Sequence, residues 1–210
     1  MKTIIWIASL TLLSTGAHAT TVFIVSNALD TTNNTTDPTV DLTPNPSWAA
    51  ALPGSDWISY GSTGDPSAPG YFSPPNGTVV SFQTQFTLTG AITGGYLDVL
   101  ADDTTSVMLN GNTLMVADLT PGGPCAKGAI GCSTSTEGMI TFAMLAPYLV
   151  EGTNTLSFSV VQVAAQSFGL DFAGSIDPSP TPEPAALALV GIGLLGLGLA
   201  VRRRGRSTTP

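Results

Sequence analysis

Histidine is all but missing from this chain of 210 residues, where the one copy is His18. It falls in an N-terminal stretch with the pattern of a cleaved leader. Basic residues are scarce too, with Lys and Arg together numbering 6. Lys2, Arg202, Arg203, Arg204 and Arg206 lie at the two ends, which leaves Lys127 alone in the middle. The glutamates of that middle stretch are Glu137 and Glu151. These gaps exclude several chemistries. Without imidazole there is neither the usual general base near neutral pH nor the commonest metal ligand. Nucleophiles activated by histidine and His-rich zinc sites are ruled out by inventory. A formal net charge of −8, with the cations confined almost wholly to the ends, repels polyanions, so no nucleic-acid partner is expected. Carboxylate-pair chemistry and calcium binding survive the inventory.

What is present is most informative at the ends. Lys2, the apolar stretch Ile4 to Leu13 and Ala17-His18-Ala19 give a charged start, a short apolar core and a small-residue site. That order predicts a secretory signal peptide over residues 1–19, cut after Ala19. At the other end Pro182-Glu183-Pro184 precedes an apolar run from Ala185 to Val201, followed at once by Arg202, Arg203, Arg204 and Arg206. About 17 apolar residues is the short end of what spans a bilayer as a helix. The arginines predict that residues 202–210 stay in the cytoplasm.

This order of short motif, apolar helix and basic tail resembles the PEP-CTERM sorting signal of Gram-negative bacteria. Thr181 before the motif and Ala185-Ala186 after it are mild departures from the usual pattern. The resemblance implies an exosortase partner that recognises Pro182-Glu183-Pro184 and removes the tail. It also implies export by the secretion machinery, anchoring in the inner membrane through 185–201, and a periplasmic domain released to the cell surface or beyond. The competing reading of the same tail is a permanent single-pass anchor.

Between the ends, residues 20–176 form one domain of about 160 residues, enough for a real core. Turn signals recur at short intervals and Thr, Ser, Val and Gly abound, which predicts an all-β fold. Val80, Phe82, Phe86 and Leu88 alternate with Ser81, Gln83, Gln85 and Thr87, giving one dry face and one wet face. Gly94-Gly95 is read as a turn into Tyr96–Ala101, and Asn110-Gly111 as a tight hairpin. A strand is expected over Met139–Met144, a helical turn over Ala146–Val150, and strands over Thr155–Val163 and Phe168–Phe172. Short strands are expected within the proline-broken stretch 27–70 as well, since so long a structureless loop is unusual. The sum is an antiparallel β-sandwich or jelly roll, with residues 177–184 as an extended Pro-rich linker.

Two stretches of the domain resemble the galactose-binding-like β-sandwich. One runs from Tyr96 through Asp102-Asp103 to Asn110-Gly111, and the other from Tyr148-Leu149 through Gly152-Thr153-Asn154 to Val160. The resemblance implies the fold and leaves the ligand open, because that fold hosts many.

The candidate sites each have a plain alternative. Asp102 and Asp103, with Asp98 or Asp118 near, have the oxygens that calcium prefers, though an Asx-type turn suits them better. Calcium is the one cofactor these residues suggest. Tyr60 and Tyr71 are candidates for stacking on sugar rings, while Trp48 and Trp57 read as core. Cys125 and Cys132 predict a disulfide closing a small loop in an exported protein. Glu137 and Glu151 offer no evident acid/base pair, so an enzyme is not expected. The reading is a non-catalytic envelope or matrix protein that binds carbohydrate or helps to build exopolysaccharide or biofilm. The alternatives are a carboxylate-based glycan-active enzyme and a surface or ice adhesin.

Overall fold

The computed structural model describes residues 20–120, 122, 125, 128, 130–163, 166–179 and 190–196. Ala17, Ala19, Pro182, Glu183, Pro184, Arg202, Arg203, Arg204 and Arg206 lie outside the described residues. In chain order the elements are β1 (Val22–Val25), β2 (Thr32–Asn33), β3 (Val40–Asp41), β4 (Ile58–Ser59), β5 (Val79–Leu88) and β6 (Ile92–Asp102). There follow β7 (Thr104–Leu109), β8 (Asn112–Met115), β9 (Gly138–Thr141), α1 (Phe142–Leu145), β10 (Gly152–Val161) and β11 (Gly169–Pro178). The short strands expected inside 27–70 are β2, β3 and β4.

The strands form two antiparallel sheets. One has the order β3-β4-β11-β6-β9, with β1 also pairing to β11, and the other the order β2-β5-β10-β7-β8. Their inner faces share one core. Ile24, Leu97, Val99, Leu170 and Phe172 come from the first sheet, and Val80, Phe82, Val107, Phe158 and Val160 from the second. Phe158 and Phe172 stack across the gap with ring centroids 4.4 Å apart. Two sheets that interdigitate in this way are a β-sandwich.

The period-two reading of β5 holds at most positions, with Ser81 and Phe86 both half-buried. Val80, Phe82 and Leu88 are buried, while Gln83, Gln85 and Thr87 are exposed. β10 is alike, with Leu156, Phe158 and Val160 inward. In the hairpin between β7 and β8, Asn110 and Gly111 take φ of 50° and 79°. Those values match the turn type whose twist suits paired strands.

Four expectations are corrected. Gly94 and Gly95 are inside β6 and do not turn the chain. A Cβ on Gly95 would lie 2.7 Å from the Ser175 carbonyl oxygen of the adjacent strand. Glycine is there for close backbone approach. The strand read over Met139–Met144 stops at Thr141, and the helical turn arrives early as α1, where Leu145 drops into the core. β11 continues well past Phe172, to Pro178.

β11 is also buried on both faces, which alternation alone does not explain. A second apolar cluster of Trp48, Trp57, Leu100, Cys125 and Cys132 covers the outer side of its sheet. The proline-rich excursion and the cysteine loop supply that cover, and a disulfide joins Cys125 to Cys132. These elements lie in one compact unit, Thr20–Ser179. Residues 190–196 are helical. Among the described residues no helix is long and apolar enough to cross a membrane.

Candidate functional site

Asp102 ends β6 on the outer face, the side opposite Val99 and Ala101, and its neighbour Asp103 begins the crossing to β7 in the other sheet. Asp102 is 1% exposed. Its Oδ2 accepts a hydrogen bond from the Trp48 indole Nε1 at 2.6 Å. Burial first, and then the adjacent Asp103 charge, push its pKa up to about 9, against the pull of the indole. The group is therefore a neutral acid at pH 7. The Asp103 Oδ2 accepts from the Val163 backbone N–H at 2.5 Å, tying the crossing to the end of β10. Asp118 is far more open, and its carboxylate accepts from the Thr120 backbone N–H. Among the described residues no group of three His, Cys, Asp or Glu side chains is placed to hold a metal ion.

Asp171 is a site that the alternation of β11 did not reveal. Fully buried, it accepts hydrogen bonds from Ser26 Oγ at 2.9 Å, Ser55 Oγ at 2.5 Å and the Leu52 backbone N–H at 2.8 Å. Burial raises its pKa, and these three donors oppose the rise. The carboxyl thereby fastens the end of β1 and the 52–55 loop onto the central strand. A lone carboxylate between Leu170 and Phe172 was the signal available in the sequence.

Glu137 precedes β9, and β9 pairs Met139 with Asp98 of β6. Glu137 and Asp98 are thus diagonal neighbours on the outer face of the sheet. Burial, followed by the charges of Asp98 and Asp171, raises the Glu137 pKa. Sequence reading found no partner for Glu137 because Asp98 belongs to a distant strand. Glu151 stands exposed in the turn before β10.

The tyrosines take different places. Tyr60 turns its ring edge-on to Phe168 and Phe72, with centroids 5.7 and 5.6 Å away, and so closes one end of the core. Tyr71 is half-buried in the loop after Gly70. Trp48 and Trp57 are buried, with centroids 4.3 Å apart.

A cleft of about 460 Å3 opens at the side of the sandwich, where β1 of one sheet approaches β5 of the other. Phe23, Asp30, Thr32, Gln83 and Gln85 line it, with Ile24 beneath. Phe23 is 75% exposed. In β1 four consecutive apolar residues, Val22-Phe23-Ile24-Val25, hid which of them faces outward.

Residues 180–204 match the PEP-CTERM protein-sorting motif. The chain carries that sorting motif. No curated relative matches its sequence. Among solved structures it resembles an α-L-rhamnosidase of Streptomyces avermitilis complexed with L-rhamnose, at 22% identity and a TM-score of 0.44, over 61% of this chain and 11% of that one. It also resembles a family 35 carbohydrate-binding module of Clostridium thermocellum, at 13% identity and a TM-score of 0.40, over 73% and 97%. A third is a GH26-CBM35 β-(1,4)-mannanase of Podospora anserina, at 13% identity and 0.36, over 77% and 29%. The chain thus spans about a tenth of the rhamnosidase and under a third of the mannanase. These are distant likenesses of shape.

Proposed function

We propose that this protein is an exported β-sandwich delivered to the cell envelope by its C-terminal sorting signal, where it binds carbohydrate without catalysis or builds exopolysaccharide. The observation that carries the reading is the sorting motif over residues 180–204, beginning just after β11 ends at Pro178. The leader pattern through Ala17 and Ala19 supports export, and Arg202, Arg203, Arg204 and Arg206 support retention of the tail in the cytoplasm. The sandwich reaches Ser179 without a histidine, which speaks against the commonest hydrolytic machinery. An exosortase would act at Pro182-Glu183-Pro184, and the biofilm link is an extension of the same reading.

Fractionation of cells with and without the exosortase, following the domain's mass and location, tests the sorting step. The expected result is loss of the tail only where the exosortase is present. An identical mass and a membrane location in both strains would favour a permanent anchor instead.

A second reading, a glycan-active enzyme, is favoured by the diagonal Asp98 and Glu137, whose pKa values are both raised, that of Asp98 by burial and that of Glu137 by burial and then by the charges of Asp98 and Asp171. Carboxylate catalysis needs a partner held protonated beside one that is ionised. Release of reducing ends from a polysaccharide, abolished by Glu137→Gln, would establish it, and no release from any substrate would remove it.

A further inference from the structure

We propose that the cleft between β1 and β5 is a sugar site, and that it takes neutral pyranose rings and rejects uronic acids. This rests on the carbohydrate-binding reading and gives it an address.

The first ground is Phe23. It stands on the outer side of a strand whose next residue, Ile24, is in the core, so its ring is not needed for packing. An aromatic ring 75% exposed keeps apolar area in water without an evident structural return. Its position at the mouth of a walled cleft offers a flat apolar face to the apolar face of a sugar.

The second ground is the polar wall. Gln83 and Gln85 are exposed on the wet face of β5, and Thr32 and Asp30 stand opposite. Amides donate and accept, the hydroxyl does both, and the carboxylate accepts. Vicinal sugar hydroxyls also donate and accept, so the set is complementary. The Gln83 side chain makes no hydrogen bond to any described residue, which leaves its amide available. Pairing of β2 with β5 ends at Gln83, which keeps the cleft open beyond that point. About 460 Å3 lies within the roughly 300–1,000 Å3 usual for small-molecule sites.

The third ground is charge. The cleft has Asp30 and no cation. From Thr20 to Ser179 the chain contains one basic residue, Lys127. A uronate carboxylate would meet repulsion with no arginine or lysine to pair with it. Neutral rings meet no such obstacle.

The test is affinity electrophoresis of the full chain, in a detergent without a sugar headgroup, through gels holding soluble mannan, galactan, β-glucan or polygalacturonate. The expected result is retardation by at least one neutral polymer and none by polygalacturonate. Phe23→Ala is expected to weaken the retained affinity about tenfold, Phe23→Trp to keep it, and Gln83→Ala to reduce it. Retardation by polygalacturonate as strong as by the neutral polymers would overturn the charge preference. Full binding by Phe23→Ala, or loss with Tyr71→Ala while Phe23→Ala binds, would overturn the cleft and leave carbohydrate binding standing. No retardation of the wild-type chain by any polymer would overturn both.

Discussion

Two buried carboxyls show how single residues hold this sandwich. Asp102 is neutral in the fold because burial and the Asp103 charge disfavour its ionised form, to a pKa of about 9. In the unfolded chain it titrates near 3.8, so across that window the folded state binds the extra proton. Its stabilising contribution is complete below pH 4 and is lost as pH climbs toward and through 9. Asp102→Asn preserves an acceptor for the Trp48 indole and cannot ionise. Its melting temperature is expected to exceed the wild type's at pH 8 and to match it near pH 4, read by circular dichroism. Asp171 works differently, as a hub for three donors from separate segments. Asp171→Ala leaves the Leu52 N–H without its acceptor, while the Ser26 and Ser55 hydroxyls keep the Asp56 and Leu52 carbonyls as acceptors. With one buried donor left unsatisfied, urea unfolding is expected to show a deficit of about 1–3 kcal/mol.

Among the elements, the two stretches that carry the fold resemblance meet in space. Asn110 in the β7–β8 turn donates to the Tyr148 carbonyl at 2.8 Å and to the Asn154 Oδ1 at 2.9 Å. Its own Oδ1 accepts from the Thr155 N–H at 2.8 Å. Asn154 in turn brackets Val150, accepting from its N–H and donating to its carbonyl. Asn-Gly was readable as a turn because φ is positive at both positions. That the asparagine also clamps a second turn was not readable, since the partner lies 44 positions away. Asn154→Ala is expected to lower stability by about 2–3 kcal/mol, with hydrogen exchange rising at Val150 and Thr155 and unchanged in β5. The misplaced elements share one cause. Gly95 answers to Ser175 and Leu145 to the core, and neither demand is local in sequence.

For the whole molecule, stability rests on the interface between the sheets, where Phe158 and Phe172 stack. Phe158 is wholly buried. Phe158→Ala is expected to cost about 3–5 kcal/mol, seen as a lower urea midpoint with little change in the slope. The alternations of β5 and β10 made the inner faces legible beforehand, because one side of a sandwich sheet is dry and the other wet. β11 broke that rule. Its outer face is covered by the Trp48 and Trp57 cluster and by the disulfide loop, so both of its sides are buried. The cleft was not legible in the sequence for a related reason. Phe23 looks like core in an unbroken apolar strand, while Tyr60, singled out as a sugar platform, packs edge-on against Phe168.

By itself the sequence determined the inventory and the addresses. One histidine within a leader pattern, Lys127 as the sole cation of the domain, and the sorting motif over 180–204 are properties of composition and order, and folding does not alter them. It also determined the all-β architecture, since strand periodicity is local. Tertiary structure decided which residues meet. Asp171 with Ser26 and Ser55, Glu137 diagonal to Asp98, and Phe23 in one cleft with Gln83 are meetings of segments far apart in the chain. Such meetings are fixed by sheet order and register, which the pattern of one strand does not contain.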